Sequence, residues 1–274
     1  MSRSASRVLT LIRRALVAAL WLLPAALQAQ TVISALPYVI SNPGRYQVSF
    51  NLAYGAASGA AITVAASEVD LDLGGFNLMG GSGATGISLS GVAQVRVRNG
   101  YLTGFSTGVQ VTGGSSGVEL TGLTVGGGSL GMYLVGQDLN VHANVVREIL
   151  STTGTATGIF VAGQSVRVWD NTVRNVRSTA AGASSHGILV NSSVGDFTWG
   201  SLEGNRIALA AGLSSSYGIS VQNASTMVVL GNQILNARSG LGYYGSGGSI
   251  KYGNNIVTGA TTAYGIGTDI GNNH

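Results

Sequence analysis

Gly131-Met132-Tyr133-Leu134, Gly158-Ile159-Phe160-Val161 and Gly187-Ile188-Leu189-Val190 repeat one phrase: a glycine, an apolar residue, an open position and a second apolar residue. The phrase also stands upstream at Gly86-Ile87-Ser88-Leu89 and Gly108-Val109-Gln110-Val111, and downstream at Gly218-Ile219-Ser220-Val221. It fades into Gly242-Tyr243 and Gly265-Ile266. Successive glycines are 22, 23, 27, 29, 31, 24 and 23 residues apart. Each interval holds a second alternating stretch (Val95/Val97, Val118/Leu120, Leu139/Val141, Val166/Val168), followed by Asn-x-Val/Ile at Asn144, Asn171, Asn205 and Asn232. Alternation with period 2, broken by Gly, Asn and Ser turns, predicts two or three short strands per repeat. No stretch after residue 30 carries a 3.6-residue apolar stripe, which excludes an α/β fold. One such repeat cannot bury its apolar side alone, whereas stacked copies bury a continuous core. The fold predicted is all-β, a parallel β-solenoid. A sandwich or barrel would need hairpin turns between neighbouring strands, and Asn99-Gly100 is the one Asn-Gly pair in the chain. The Asn column is expected to occupy a tight, left-handed turn and to bond from coil to coil through its amides.

Composition narrows the function classes. Of 274 residues, 43 are glycine, 45% are hydrophobic and 9% are charged. That apolar share excludes a disordered chain. The formal charge of +4 comes from 14 basic and 10 acidic residues, but Arg3, Arg7, Arg13 and Arg14 open the chain; removing them leaves 14 − 4 = 10 against 10. The neutral remainder argues against a nucleic-acid partner. Those arginines precede the apolar run Ala15–Leu27, and Gln28-Ala29-Gln30 follows. This is the layout of a secretory signal peptide, with cleavage expected near Ala29 and an exported, periplasmic or extracellular product. With no cysteine, the domain depends on packing and backbone hydrogen bonds. No later segment is long and apolar enough to span a bilayer, so no membrane partner is expected after cleavage. The expected organisation is a signal peptide over residues 1–29, an N-terminal cap segment over 30–60 and a β-helix domain over 61–274. Oligomeric state is not legible.

The stretches Leu36-Pro37-Tyr38-Val39-Ile40-Ser41, Pro43-Gly44-Arg45-Tyr46, Val69-Asp70-Leu71-Asp72-Leu73-Gly74-Gly75-Phe76 and Val97-Arg98-Asn99-Gly100-Tyr101-Leu102 resemble the opening coils of right-handed parallel β-helix proteins of the pectin-lyase-like superfamily. The resemblance runs over roughly residues 31 to 270. It implies a right-handed helix of about eight to nine coils and a superfamily containing polysaccharide lyases, epimerases, hydrolases, adhesins and tailspikes, so fold alone selects no function. The superfamily's catalytic signatures are missing: no aspartate cluster for calcium, no Asp-Asp dipeptide, no Gly-His-Gly and no Asp-Pro-His-Asp.

Aligning coils on the Asn step lists the outward residues of the second sheet. One column reads Asp72, Arg96, Glu119, Asn140, Arg167, Ser201, and the next reads Arg98, Thr121, His142, Trp169, Glu203. His142, Arg167, Trp169 and Glu203, joined by Arg174 beyond the Asn, are the expected substrate-binding residues. An indole face stacks on sugar rings, while imidazole, guanidinium and carboxylate bond hydroxyls or carboxylates. The outward column of the first sheet is expected to run Ser88, Gln110, Tyr133, Phe160, Leu189, Ser220, Tyr244. Two functions are expected: a noncatalytic, polysaccharide-binding or structural surface protein, or a polysaccharide lyase or epimerase with an unrecognised site on the second sheet. Neither reading requires a cofactor or metal, and the sequence leaves catalysis open.

Overall fold

The computed structural model describes residues 30–192, 198–210, 215–223, 225–244, 248–265 and 267–274. The signal-peptide expectation over residues 1–29 lies outside them. The described chain is a right-handed parallel β-helix of about nine turns. Every strand pairing in it is parallel, and most strands pair with the strand three elements later, one coil on.

Three sheets run the length of the helix. Leu130–Gln137, Ala156–Ala162 and Ser185–Asn191 belong to the first; Asn140–His142, Val166–Trp169 and Trp199–Glu203 to the second; Val145–Ser151, Thr172–Ser178 and Arg206–Ala208 to the third. The inward positions stack in file. Met132, Ile159, Ile188 and Ile219 line one wall, Val141, Val168 and Leu202 a second, and Val146, Val173 and Ile207 a third, all fully buried or nearly so. These mostly β-branched side chains suit a pleated wall whose neighbours are similar side chains 4.7–4.9 Å away.

The repeated glycine has a packing cause. A Cβ on Gly158 would lie 2.6 Å from Val173 Cγ1 and 2.6 Å from the carbonyl oxygen of Gly187. The first sheet thus approaches the third so closely that no side chain fits. This column needs space rather than a left-handed backbone, since none of Gly86, Gly108, Gly131, Gly158 and Gly187 has a positive φ.

The asparagine column is a continuous ladder. Nδ2 of Asn144, Asn171, Asn205, Asn232 and Asn255 donates to Oδ1 of the next asparagine, at 2.9–3.2 Å, ending on Asn273. The same Oδ1 atoms of Asn171, Asn205, Asn232, Asn255 and Asn273 accept the backbone N–H of the preceding asparagine. The coil-to-coil amide bonding matches expectation, but the left-handed residue is the one before. Ala143, Asp170, Gly204, Gly231 and Asn254 have φ between 52° and 64°. The asparagine itself follows the corner, turned into the core to satisfy backbone groups that no sheet reaches.

Two columns differ from the sequence alignment. After Gly218 the close-packed position is Gly240, since Tyr217 pairs with Ser239 and Ile219 with Leu241. The outward residue after Ser220 is therefore Gly242, not Tyr244. On the second sheet Arg96 pairs with Asp70, while Asp72 pairs with Arg98. Both slips are of two residues, which keeps every side chain on its own face and so leaves the hydrophobic pattern unchanged.

Candidate functional site

The outer face of the second sheet gathers most of the chain's paired charge. Arg98 bridges Asp70 at 3.1 Å and Asp72 at 2.7 Å. The hydrogen bond to Asp70 and the two carboxylate charges raise the Arg98 pKa against the opposing cost of burial. One coil on, Arg96 Nε lies 2.6 Å from Glu119 Oε2. A recess of about 420 Å³ opens beside this ladder, lined by Glu68, Asp70, Gln94, Arg96 and Glu119 among others.

Glu119 links the ladder to the expected site. Its Oε1 is 3.0 Å from His142 Nε2, and His142 Nδ1 is 3.3 Å from Thr121 Oγ1. A carboxylate only accepts, so Nε2–H donates to Glu119; in the neutral ring Nδ1 then accepts from the threonine hydroxyl. Burial pushes the Glu119 carboxyl up, but the bonds from His142 and Arg96 outweigh it and hold the carboxyl below its ordinary range. The contribution of these pairs is therefore present above the ordinary carboxylate pKa, about 4.3, and is lost as pH falls through the depressed one.

His142 lies flat on Trp169, with ring centroids 4.4 Å apart and planes 11° from parallel. The indole N–H donates to Asn140 Oδ1 at 2.8 Å. The guanidinium carbon of Arg167 stands 4.9 Å from the indole centroid, and its Nη2 is 3.6 Å from Glu203 Oε2. His142, Arg167, Trp169 and Glu203 thus share one patch on three successive coils. His142 and Arg167 both stand against the indole ring. Arg174 is elsewhere: it lies past the Asn171 corner, on the outer face of the third sheet, in register with Arg147 and Ala208. Glu119, Thr121 and Asn140 complete the patch. Glu119 contacts His142 diagonally, one coil back and two positions along, an arrangement that a column-by-column alignment does not expose.

A second aromatic stack occupies the first sheet. His186 and Tyr217 are in register, with centroids 5.0 Å apart and planes 14° from parallel. His186 is 5% exposed and its Nδ1 has no hydrogen-bond partner. Burial pushes its pKa down to about 4. The folded ring stays neutral while the unfolded one protonates near pH 6.5, so stability is full above 6.5 and falls as pH drops toward 4. The expected loss is about 3 kcal/mol across that window at 1.36 kcal/mol per pKa unit. His186→Phe removes this slope; unfolding curves at pH 7 and pH 4.5 that change equally in variant and wild type would disprove the assignment.

No curated protein sequence matches the chain. Two solved structures resemble it. The enzymatically active domain of bacteriophage CBA120 tailspike protein 2 has a TM-score of 0.48 and 13% identity, over 90% of this chain and 42% of that one. The Dettilon tailspike protein has a TM-score of 0.33 and 12% identity, over 86% of this chain and 61% of that one. The chain spans less than two thirds of either. A family model described as "Periplasmic copper-binding protein (NosD)" matches residues 59–274, most of the β-helix. With that length of repeat matched, the chain belongs to the NosD family of periplasmic β-helix proteins.

Proposed function

We propose that this exported β-helix is a noncatalytic polysaccharide-binding protein whose contact patch is His142, Arg167, Trp169 and Glu203. The observation that carries the reading is the closed bonding around the His142–Trp169 stack: both imidazole nitrogens and the indole N–H already have protein partners. Such a patch is rigid, and it presents an aromatic ring, a guanidinium and a carboxylate to sugar hydroxyls without a loose proton donor. Trp169→Ala is expected to weaken glycan binding, measured calorimetrically on acidic and neutral polysaccharides, by at least tenfold with the melting temperature nearly kept. Absence of binding to any polysaccharide by the wild type would discard the reading. The Glu119–His142 pair favours a second one, a lyase or epimerase in which the carboxylate orients His142 as base. Unsaturated product formed by the wild type and lost in His142→Gln would select it.

The export part of the proposal rests on Arg3 to Ala29 and on the periplasmic family. Mass spectrometry of the cell-envelope fraction is expected to find a chain beginning near Gln30; an intact Met1 would contradict it.

The family's description names copper, and the donor set does not fit a copper centre. Copper favours thiolate, thioether and imidazole ligands brought together. The chain has no cysteine, Met132 and Met227 are buried in the core, and Met79 is exposed away from any histidine pairing. Both His142 nitrogens are engaged, His186 Nδ1 is unpartnered but buried beside the Tyr217 ring, and among the described residues no three His, Cys, Asp or Glu side chains converge.

A further inference from the structure

The charge sum of the β-helix is near zero, but paired and unpaired charge are sorted by face. On the second sheet Asp70, Asp72, Glu119 and Glu203 are paired with Arg96, Arg98, His142 and Arg167. The outer face of the third sheet holds a set of arginines. Arg147 and Arg174 are stacked in register on adjacent coils; Arg206 is one coil further in the neighbouring column; Arg177 follows on the same strand, beside Leu150. None of these four arginines makes an ion pair among the described residues. Among the described residues two exposed carboxylates stand near them: Glu148, which accepts from Asn175 Nδ2 at 2.7 Å, and Asp170, at the corner that opens the Arg174 strand. Like charges at one strand spacing repel unless something outside neutralises them.

Around the arginines the same face exposes large apolar side chains. Met79 and Tyr101 are 41% and 45% exposed toward one end, Leu235 and Ile256 are 44% and 45% exposed toward the other, and Leu150 is 40% exposed at the side. The column from Met79 through Thr103, Gly126, Arg147, Arg174 and Ala208 to Leu235 crosses six coil steps, about 29 Å at the strand spacing. A protein–protein interface concentrates apolar residues at its centre and charge at its rim. This face does the reverse, with arginine central and apolar residues at both ends. A second copy would set arginine against arginine. A uronate chain would leave Met79, Leu150, Leu235 and Ile256 without a role.

We propose that the third-sheet face is a peripheral docking surface for an anionic phospholipid membrane. The rod lies lengthwise, with Arg147, Arg174, Arg177 and Arg206 on headgroup phosphates and the flanking Met79, Tyr101, Leu235 and Ile256 resting at the acyl boundary. Arginine forks suit phosphate, and apolar side chains beside basic ones are what interfacial binding uses. No spanning segment is involved, and the site is separate from the saccharide patch.

The test is cosedimentation of the full chain with phosphatidylcholine vesicles, with and without phosphatidylglycerol. The chain's own amino-terminal arginines and apolar run are common to every variant, so the comparison isolates the face. Arg147→Gln/Arg174→Gln is expected to lower partitioning onto phosphatidylglycerol vesicles about 30-fold, the equivalent of about 1 kcal/mol for each arginine. Arg45→Gln/Lys251→Gln, which removes the same charge from other faces, should leave it within about threefold. Leu235→Ser/Ile256→Ser should lower it as well, at both low and high salt. Equal losses in the two charge variants would overturn the proposal. So would vesicle binding indifferent to phosphatidylglycerol, or binding by these arginines to a soluble polyuronate in place of vesicles. Circular dichroism melts confirm that each variant is folded before it is scored.

Discussion

Asn205→Leu is expected to cost about 4 kcal/mol or more and to melt the middle coils well below the wild type. Asn205 is wholly buried, and its side chain makes four hydrogen bonds. Its Oδ1 accepts from Asn171 N and Nδ2 at 3.1 and 3.0 Å, and its Nδ2 donates to Val168 O and Asn232 Oδ1 at 2.9 Å each. Leucine fills the volume but takes these partners from the Asn171 N–H, one hydrogen of Asn171 Nδ2 and Val168 O in the core, while Asn232 Oδ1 keeps the backbone N–H of residue 205. Each unsatisfied buried group costs about 1–3 kcal/mol, against a total stability of roughly 5–15 kcal/mol for ordinary domains. Asn205→Asp separates bonding from packing. Its carboxylate keeps both accepted bonds but faces Val168 O and Asn232 Oδ1 with no hydrogen to give. Protonation restores one donor, so the folded carboxyl is the stronger base, and the variant gains stability as pH falls through its raised pKa. Denaturant curves placing Asn205→Leu within 1 kcal/mol of wild type would show that the ladder contributes little.

Val168→Asp should be comparably severe for a different reason. Val168 is fully buried on the second sheet, between Val141 and Leu202 on neighbouring coils, with no cation in reach. An ionised carboxylate there is unpaired in an apolar file, and the chain either unfolds locally or holds the group protonated at a cost of several kcal/mol. Ser88→Asp, at a half-buried outward position between Thr63 and Gln110, is expected to lose about 1 kcal/mol or less. Similar melting temperatures for the two variants would mean that inward and outward faces are misassigned.

The fold was legible because a solenoid writes its core once per coil. Gly158-Ile159-Phe160-Val161 announces its own stacking partners, and the inward files from Val95 to Leu202 follow from alternation alone. What alternation cannot report is a slip of two, since period 2 is blind to it; Gly240 and Asp70 were displaced for that reason. Of the candidate site, four residues come together because coil register places them so, while Arg174 leaves at the corner before Asn171. Glu119 stood in the outward column but was not joined to His142, because that partner sits diagonally. The arginine face escaped because summing charge over the chain discards which sheet each charge occupies.

The asparagine ladder also sets a rule for how such a chain can lengthen. From Asn144 to Asn255 each side-chain amide gives one hydrogen forward to the next asparagine and the other back to a carbonyl of the preceding coil, and Asn273 Nδ2 donates to Asp269 Oδ1 at 2.6 Å. At the other end Asn144 Oδ1 takes the backbone N–H of Leu123 at 2.9 Å. A duplicated coil bearing one asparagine can be spliced between any two rungs, because it brings one donor and one acceptor in the same orientation as its neighbours. Deletion of a coil is tolerated on the same terms. Gene duplication is thus free to vary the number of coils between the rungs.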